Sequence, residues 1–387
     1  MGMEQLIKSV KFDGKLWDIV INDGKFEHII PSGYGKSSDA STCDAKGLFY
    51  LPTLADMHCH LDKHFLGEAW KSLQPFTTLP KQLQFEKKML SLLKNSLQTR
   101  GSLLVEKMIK QGTTKIRTHV DVDPEIGLKH LEAVLLVKEA FKHKIEMEIV
   151  AFPQQGLLRS GSIGIMKEAL RNGADIVGGV DPAGLDRKVE ASLHAMFELS
   201  AEFDAGVDLH LHDPGHLGQY TIELLTDYTY EGKKQGRVAV SHAYCLGMLD
   251  KEELRNTLVG LREQDISIIS SVPIDRPMPH VDSLLEEGVT LQLGTDNIRD
   301  SWSPYGNGDI LQRASRLAEK CGWVTDEKLR QAYSFITNRP LIPTVGDDAD
   351  FMLVDAENLE HAMASVPKRE AVFSKGILLS QEELVTM

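Results

Sequence analysis

Hydrophobic positions fall into two regimes along the chain. Through its middle, short apolar runs alternate with longer stretches whose apolar residues recur every three or four positions. The runs LADMHCH, KIRTHVDV, EMEIVAFPQ, DIVGGVDP, GVDLHLHD, RVAVSHA, SIISSVP and TLQLGTDN are short and mostly bounded by turn residues. They predict buried strands. Between them, stretches such as LKHLEAVLLVKEAFKHK and KVEASLHAMFELSAEF carry the spacing of amphipathic helices. Eight strands alternating with helices predict an α/β fold closed into a (β/α)8 TIM barrel. An open doubly wound sheet is the alternative, but no GxGxxG follows the first strand and no GxxxxGK[ST] occurs.

Both ends read differently. KLWDIVI and FEHII flank an NDGK step whose Asp23-Gly24 pair is a hairpin signal, and DADFMLVDAEN and REAVFSKGILL are β-type runs near the C-terminus. These ends predict one small composite β-sandwich domain from residues 1–52 and 343–387, with the barrel spanning 53–342.

Composition narrows the function classes. A length of 387 residues suits a large barrel, and 42% hydrophobic with 26% charged residues describes a chain able to bury a sizeable core. The net charge of −13 argues against a nucleic-acid partner. No apolar run reaches the roughly 18 residues of a membrane span, and the start MGMEQLIKSVKFDG lacks a signal-peptide core, so no membrane partner and a cytoplasmic location are expected. Cys43, Cys59, Cys245 and Cys321 lie far apart, without the spacing of a disulfide framework or a zinc ribbon.

Candidate chemistry gathers at the strand ends, where barrels place their active sites. Read in order, these ends carry His58 and His60, His119 and Asp121, Gln154, Asp181, His210 with His212 and Asp213, His242, and Asp296. Side chains two apart on a strand share a face, so His58 and His60 can grip one metal ion. His210 is the natural third ligand, and Asp296 can supply a carboxylate. Three neutral imidazoles and a carboxylate hold a divalent ion beside a water molecule, whose pKa falls from about 15.7 toward roughly 7. His242 lies farther round the rim and is expected outside the ligand set, holding the water or polarising the bond under attack. Gln154, both donor and acceptor, suits an amide edge. Lys63 suits a carbonyl or anionic oxygen, and Trp302 an aromatic wall over a flat ring. His119 and Asp121 are expected to be structural supports. Residues 64–85 are expected to shape the pocket mouth, with Trp70, Phe76 and Phe85 as an apolar lining.

The strings HCHLDK, RTHVDVD, VAFPQQG, GGVDPA, HLHDPG, SHAYC and TDNIRDSWSPYGNGD follow one another across the barrel region. Together they resemble the amidohydrolase superfamily, in its cytosine-deaminase-like branch. The resemblance implies one divalent metal ion, Zn2+ or Fe2+, held by His58, His60, His210 and Asp296. It implies that His242 and Asp296 activate the water, that Gln154 and Lys63 address the ring, and that the chain forms a homo-oligomer. No lysine closes the fourth strand in GGVDP, so a carboxylated lysine bridging two metals is not expected. The chain also departs from the branch. Cytosine deaminases carry a glutamate three residues after the strand-five histidine; here that place is Asp213, with His212 just before it. Thr295 replaces a histidine, and Asn297, assigned to the substrate contacts, replaces an aspartate. Either His212 and Asp213 divide the proton shuttle, or the substrate needs less ring protonation.

The resulting expectation is a metal-dependent amidohydrolase that removes an exocyclic amino or alkylamino group from a small planar N-heterocycle, cytosine- or triazine-like. Hydrolysis of a cyclic amide at the same metal is the alternative, and a metal-bound ligand-binding protein without turnover is a third reading. The HxE and PCxxC signature of nucleic-acid zinc deaminases is absent.

Overall fold

The computed structural model describes residues 4–33 and 41–381. The N-terminal segment contributes β1 (Gln5–Phe12), β2 (Lys15–Asn22), β3 (Lys25–Pro31), β4 (Ser41–Asp44) and β5 (Phe49–Pro52). Next come β6 (Leu54–Cys59), β7 (Thr113–Asp121), β8 (Glu146–Phe152) and β9 (Ile176–Val180), then β10 (Gly206–His210), β11 (Val238–Ser241), β12 (Ser267–Ser270) and β13 (Leu291–Leu293). The C-terminal segment adds β14 (Phe351–Val354), β15 (Arg369–Ser374) and β16 (Ile377–Gln381).

All eight expected central strands form, and they pair in chain order, each parallel to the next. The circuit closes between its first and last strands: Cys59 bridges Asp296 in parallel, and the Asp296 N–H donates to the His58 carbonyl at 2.8 Å. The result is a TIM-type barrel. Such strands are covered on both sides, which is why their sequences read as nearly unbroken apolar runs. In β9 every residue is buried, and its two glycines are required by close packing. A Cβ on Gly178 would lie 2.3 Å from the Ala151 carbonyl oxygen, and one on Gly179 would lie 2.4 Å from the Met196 sulfur.

Helices cover the barrel: α1 (Leu79–Ser91), α2 (Leu97–Lys110), α3 (Lys129–Phe141), α4 (Ile163–Arg171), α5 (Val189–Phe203) and α6 (Gly215–Glu231) come first. They are followed by α7 (Lys251–Glu263), α8 (Val281–Glu287), α9 (Ile310–Cys321), α10 (Asp326–Ser334) and α11 (Leu359–Ser365). The two helices expected from periodicity are α3 and α5. Local sequence signals set several starts; α7 opens with a capping box in which Asp250 and Glu253 satisfy each other's backbone N–H groups.

The two chain ends share a second sheet, ordered β16-β15-β14-β5-β1-β2-β3 with β4 alongside β1. β5 and β14 pair antiparallel and so tie the N-terminal strands to the C-terminal ones. Its hairpins turn at Asp23-Gly24 (φ 48° and 77°) and at Lys375-Gly376 (φ 47° and 72°), the left-handed pairs that tight two-residue turns need. Instead of two facing sheets, one sheet rolls around its own core. Phe26 on β3 lies 5.7 Å from Phe351 on β14, four places away in strand order. Among the described residues, no helix is long and apolar enough to cross a membrane, and all four cysteines are free thiols.

Candidate active site

Closing the barrel brings its first and last strands together, and with them the residues at their C-terminal ends. His58 and His60 aim their Nε2 atoms at one oxygen of Asp296, at 3.6 and 3.4 Å. Asp296 sits just past β13 with φ at 56°, a left-handed conformation uncommon for a non-glycine residue and frequent at functional sites. His210 ends β10, and one ring nitrogen each from His58, His60 and His210 lie within 4.8 Å of one another. Phe152, at the end of β8, stacks on the His210 ring at 4.1 Å and so fixes its plane.

Hydrogen bonds determine which nitrogen of each imidazole is free. The single proton of the Ser241 hydroxyl goes to Asp208 at 2.7 Å, so Ser241 must accept from His58 Nδ1–H, 2.9 Å away. His60 Nδ1 lies 3.2 Å from the His119 carbonyl, which only accepts, so that nitrogen also carries its proton. Both Nε2 lone pairs therefore face the Asp296 side of the site, the second-sphere arrangement that prepares histidines for a metal. His58 Nε2 and both His210 ring nitrogens are buried without a hydrogen-bond partner. Burial, reinforced by neighbouring imidazoles, pushes the pKa values of His58, His119 and His210 well below the ordinary range and keeps these rings neutral. This donor set fits a single divalent cation.

His242 stands closer than the sequence suggested. Its ring centre is 4.7 Å from that of His58, and one atom each of His58, His242 and Asp296 lie within 4.8 Å of one another. The reason is local backbone: His242 and Ala243 both adopt left-handed φ (71° and 45°) directly after β11, which turns the chain back over the barrel end. Burial, then the charge on His212, lowers the His242 pKa to about 3.

His212 stacks on His242 at 4.6 Å and is held by Asp181 from the neighbouring strand end. One Asp181 oxygen accepts from the His212 backbone N–H at 2.6 Å, the other from its Nδ1 at 2.9 Å. Burial works against protonation of His212, but Asp181 outweighs it and raises the pKa. Asp213 accepts from the Ala183 N–H at 3.0 Å, and burial together with Asp181 lifts its pKa to about 6. His119 is fully buried, its ring 4.1 Å from that of His58 and 4.4 Å from that of His210, packed against both imidazoles.

The other side of the rim is organised by a residue that the sequence reading missed. Glu86, on α1, is buried and collects donors: Gln154 Nε2 at 2.9 Å, Trp302 Nε1 at 2.5 Å, Ser301 Oγ at 3.2 Å, and the Lys63 ammonium at 3.9 Å. Lys63 also pairs with Asp121 at 2.9 Å and lies 5.0 Å from the centre of the Phe152 ring. Asp121 is thus a partner of Lys63. Burial opposes the Lys63 charge, yet Asp121, Glu86 and Asp62 raise its pKa, and it is a cation. The Asn297 amide donates to Asp300 at 2.8 Å, within its own loop. Trp70 and Phe76 face solvent, and Phe85 is half-buried. The buried residues of α1 are Gln82, Leu83 and Glu86, so this helix turns a largely polar face inward.

Residues 104–369 match the family model described as amidohydrolase family. The chain belongs to the amidohydrolase family. It is 36% identical over 374 residues to the uncharacterized protein YahJ of Escherichia coli (strain K12), covering 93% of this chain and 81% of that one. It is 32% identical over 363 residues to the N-isopropylammelide isopropyl amidohydrolase of Pseudomonas sp. (strain ADP), covering 88% of each. The crystal structure of N-isopropylammelide isopropylaminohydrolase from Burkholderia multivorans superposes with a TM-score of 0.91 at 31% identity, covering 97% of this chain and 98% of that one. This amidohydrolase is therefore a hydrolase with a barrel and terminal sheet like those of its relative.

Proposed function

We propose that this amidohydrolase removes an exocyclic amino or alkylamino group from a small planar N-heterocycle, cytosine- or triazine-like, and puts oxygen in its place. The observation that carries the reading is the pair of imidazoles, His58 and His60, whose outer hydrogen bonds leave both Nε2 lone pairs free beside Asp296 and His210. His58, His60, His210 and Asp296 would hold one Zn2+ or Fe2+ ion. Such an ion lowers the pKa of a water molecule to roughly 7 and so makes a nucleophile available at neutral pH.

The remaining steps belong to the protein. Asp296 takes the proton of the attacking water, as a carboxylate within hydrogen-bond reach can. His242, neutral and buried, keeps one N–H to donate to the oxygen or nitrogen where charge develops as the ring carbon becomes tetrahedral. His212, oriented by Asp181, returns a proton to the departing amine, with Asp213 beside it. Lys63 and Gln154 hold the ring edge, Trp302 covers its face, and Asn297 braces the loop that carries Trp302. The similarity to enzymes named for N-isopropylammelide supports an alkylamino leaving group. Incubation of the metal-loaded enzyme with aminotriazines and aminopyrimidines, followed by product analysis, tests the proposal. Release of ammonia or an alkylamine with an intact ring is expected. A ring-opened product without amine release would replace this reaction by cyclic amide hydrolysis.

A further inference from the structure

Glu86 has no place in the metal centre or in the proton transfers, yet four donors converge on it. Its Oε1 accepts from Gln154 Nε2 at 2.9 Å with Lys63 at 3.9 Å, and its Oε2 accepts from Trp302 Nε1 at 2.5 Å and Ser301 Oγ at 3.2 Å. A carboxylate only accepts and an indole N–H only donates, so the direction of every bond in this cluster is forced. The Gln154 amide must turn its NH2 toward Glu86. Its carbonyl oxygen then points away from Glu86, and it is buried with no hydrogen-bond partner. The Trp302 N–H is consumed, which leaves only the ring face for a ligand.

We infer that Glu86 is a positioning residue that locks the polarity of Gln154, so that this rim accepts only heterocycles presenting a ring N–H donor on the Gln154 edge. The inference rests on the heterocycle reading above and deepens it by setting the substrate class: an oxo-substituted ring in its lactam form, rather than a fully aromatic ring with a bare nitrogen at that place. The cationic Lys63 beside Gln154 complements it, since a lactam pairs its N–H with a neighbouring carbonyl that accepts from an ammonium. A ring that brings a bare nitrogen to Gln154 leaves two buried acceptors, the amide oxygen and the ring nitrogen, facing each other with no proton between them, a costly arrangement.

The substitution Glu86→Gln provides a test with a directional outcome. Trp302 cannot reverse its N–H, so the introduced amide must give its oxygen to the indole and its NH2 to Gln154. Gln154 then flips and presents NH2 to the ring. Two symmetric probes remove any ambiguity about ligand orientation. 1,3,5-Triazine-2,4,6-trione offers an N–H between carbonyls on every edge, and 2,4,6-trimethoxy-1,3,5-triazine offers a bare ring nitrogen. Dissociation constants for both are measured on metal-loaded wild type and E86Q. Wild type is expected to favour the trione by roughly 10- to 100-fold, the penalty for one unpaired buried acceptor. E86Q is expected to lose or reverse that preference; probe bulk is the same for both proteins, and because E86Q also removes a negative charge 3.9 Å from Lys63, the ratio of the two affinities is read rather than either affinity alone. Gln154→Met, which removes the amide altogether, must also erase the preference; Glu86→Ala, which frees the amide to turn either way, must shrink it and carries the test if E86Q does not fold. An unchanged preference in E86Q, or a wild type that favours the trimethoxy ring, overturns the inference while leaving the metal-site reading intact. Failure of the wild type to bind either ring overturns the heterocycle reading and the inference with it.

Discussion

Removing the Ser241 hydroxyl should weaken metal binding without unfolding the barrel. Ser241 is fully buried at the end of β11, between Asp208 at 2.7 Å and His58 Nδ1 at 2.9 Å. Ser241→Ala deletes the acceptor that keeps the His58 proton on Nδ1. The ring is then free to carry its proton on Nε2, the atom needed by the cation, and its Nδ1 loses its only hydrogen bond. Loss of such a second-sphere partner costs about 10- to 100-fold in metal affinity, or about 1.4–2.8 kcal/mol. Two buried hydrogen bonds are lost, while the other Asp208 oxygen keeps Arg117 at 2.9 Å, so the stability cost should be about 2–3 kcal/mol. Competition with a fluorescent chelator gives the Zn2+ dissociation constant, and chemical denaturation of the metal-free proteins gives the stability. An S241A protein that folds normally and binds Zn2+ within about twofold of wild type would refute the tautomer argument.

Other perturbations act at different points of the same structure. His60→Ala removes one of the proposed ligands and should abolish both bound metal, measured by elemental analysis, and turnover. Asp181→Asn should leave metal content unchanged while lowering kcat by roughly 10²–10⁴, because an amide can turn an N–H toward His212 and reverse its tautomer; an unaltered kcat would remove His212 from the proton path. Gly178→Ala puts a methyl group 2.3 Å from the Ala151 carbonyl oxygen and should destabilise the barrel by about 1–3 kcal/mol in a urea titration. Treatment with a strong chelator should remove activity, and Zn2+ or Fe2+ should restore it; activity that survived metal removal would exclude the proposed chemistry.

The barrel was legible because its strands are short, apolar and followed by polar residues. Period-two alternation put His58 and His60 on one face, and the same reasoning placed His210, His242 and Asp296 at one end of the barrel. What the pattern could not show was the distance round the rim. His242 comes near His58 through two left-handed residues whose identities, His and Ala, give no hint of that conformation. Glu86 was hidden for a different reason. In LPKQLQFEKKMLS it stands among lysines on a helix, where a glutamate normally faces water. Its one signal is the four-residue spacing from Gln82, which sets both on the buried face. Asp208 left a fainter trace in GVDLH, two positions below His210 on an inward-facing strand.

Product analysis in oxygen-labelled water tests the central claim most directly. The metal-loaded enzyme, given an alkylamino- or amino-substituted triazine or pyrimidine, should yield free amine and an intact ring carrying one labelled oxygen at the vacated carbon, and the metal-free protein should yield neither. A ring opened by the label, or equal turnover by the metal-free protein, would contradict it.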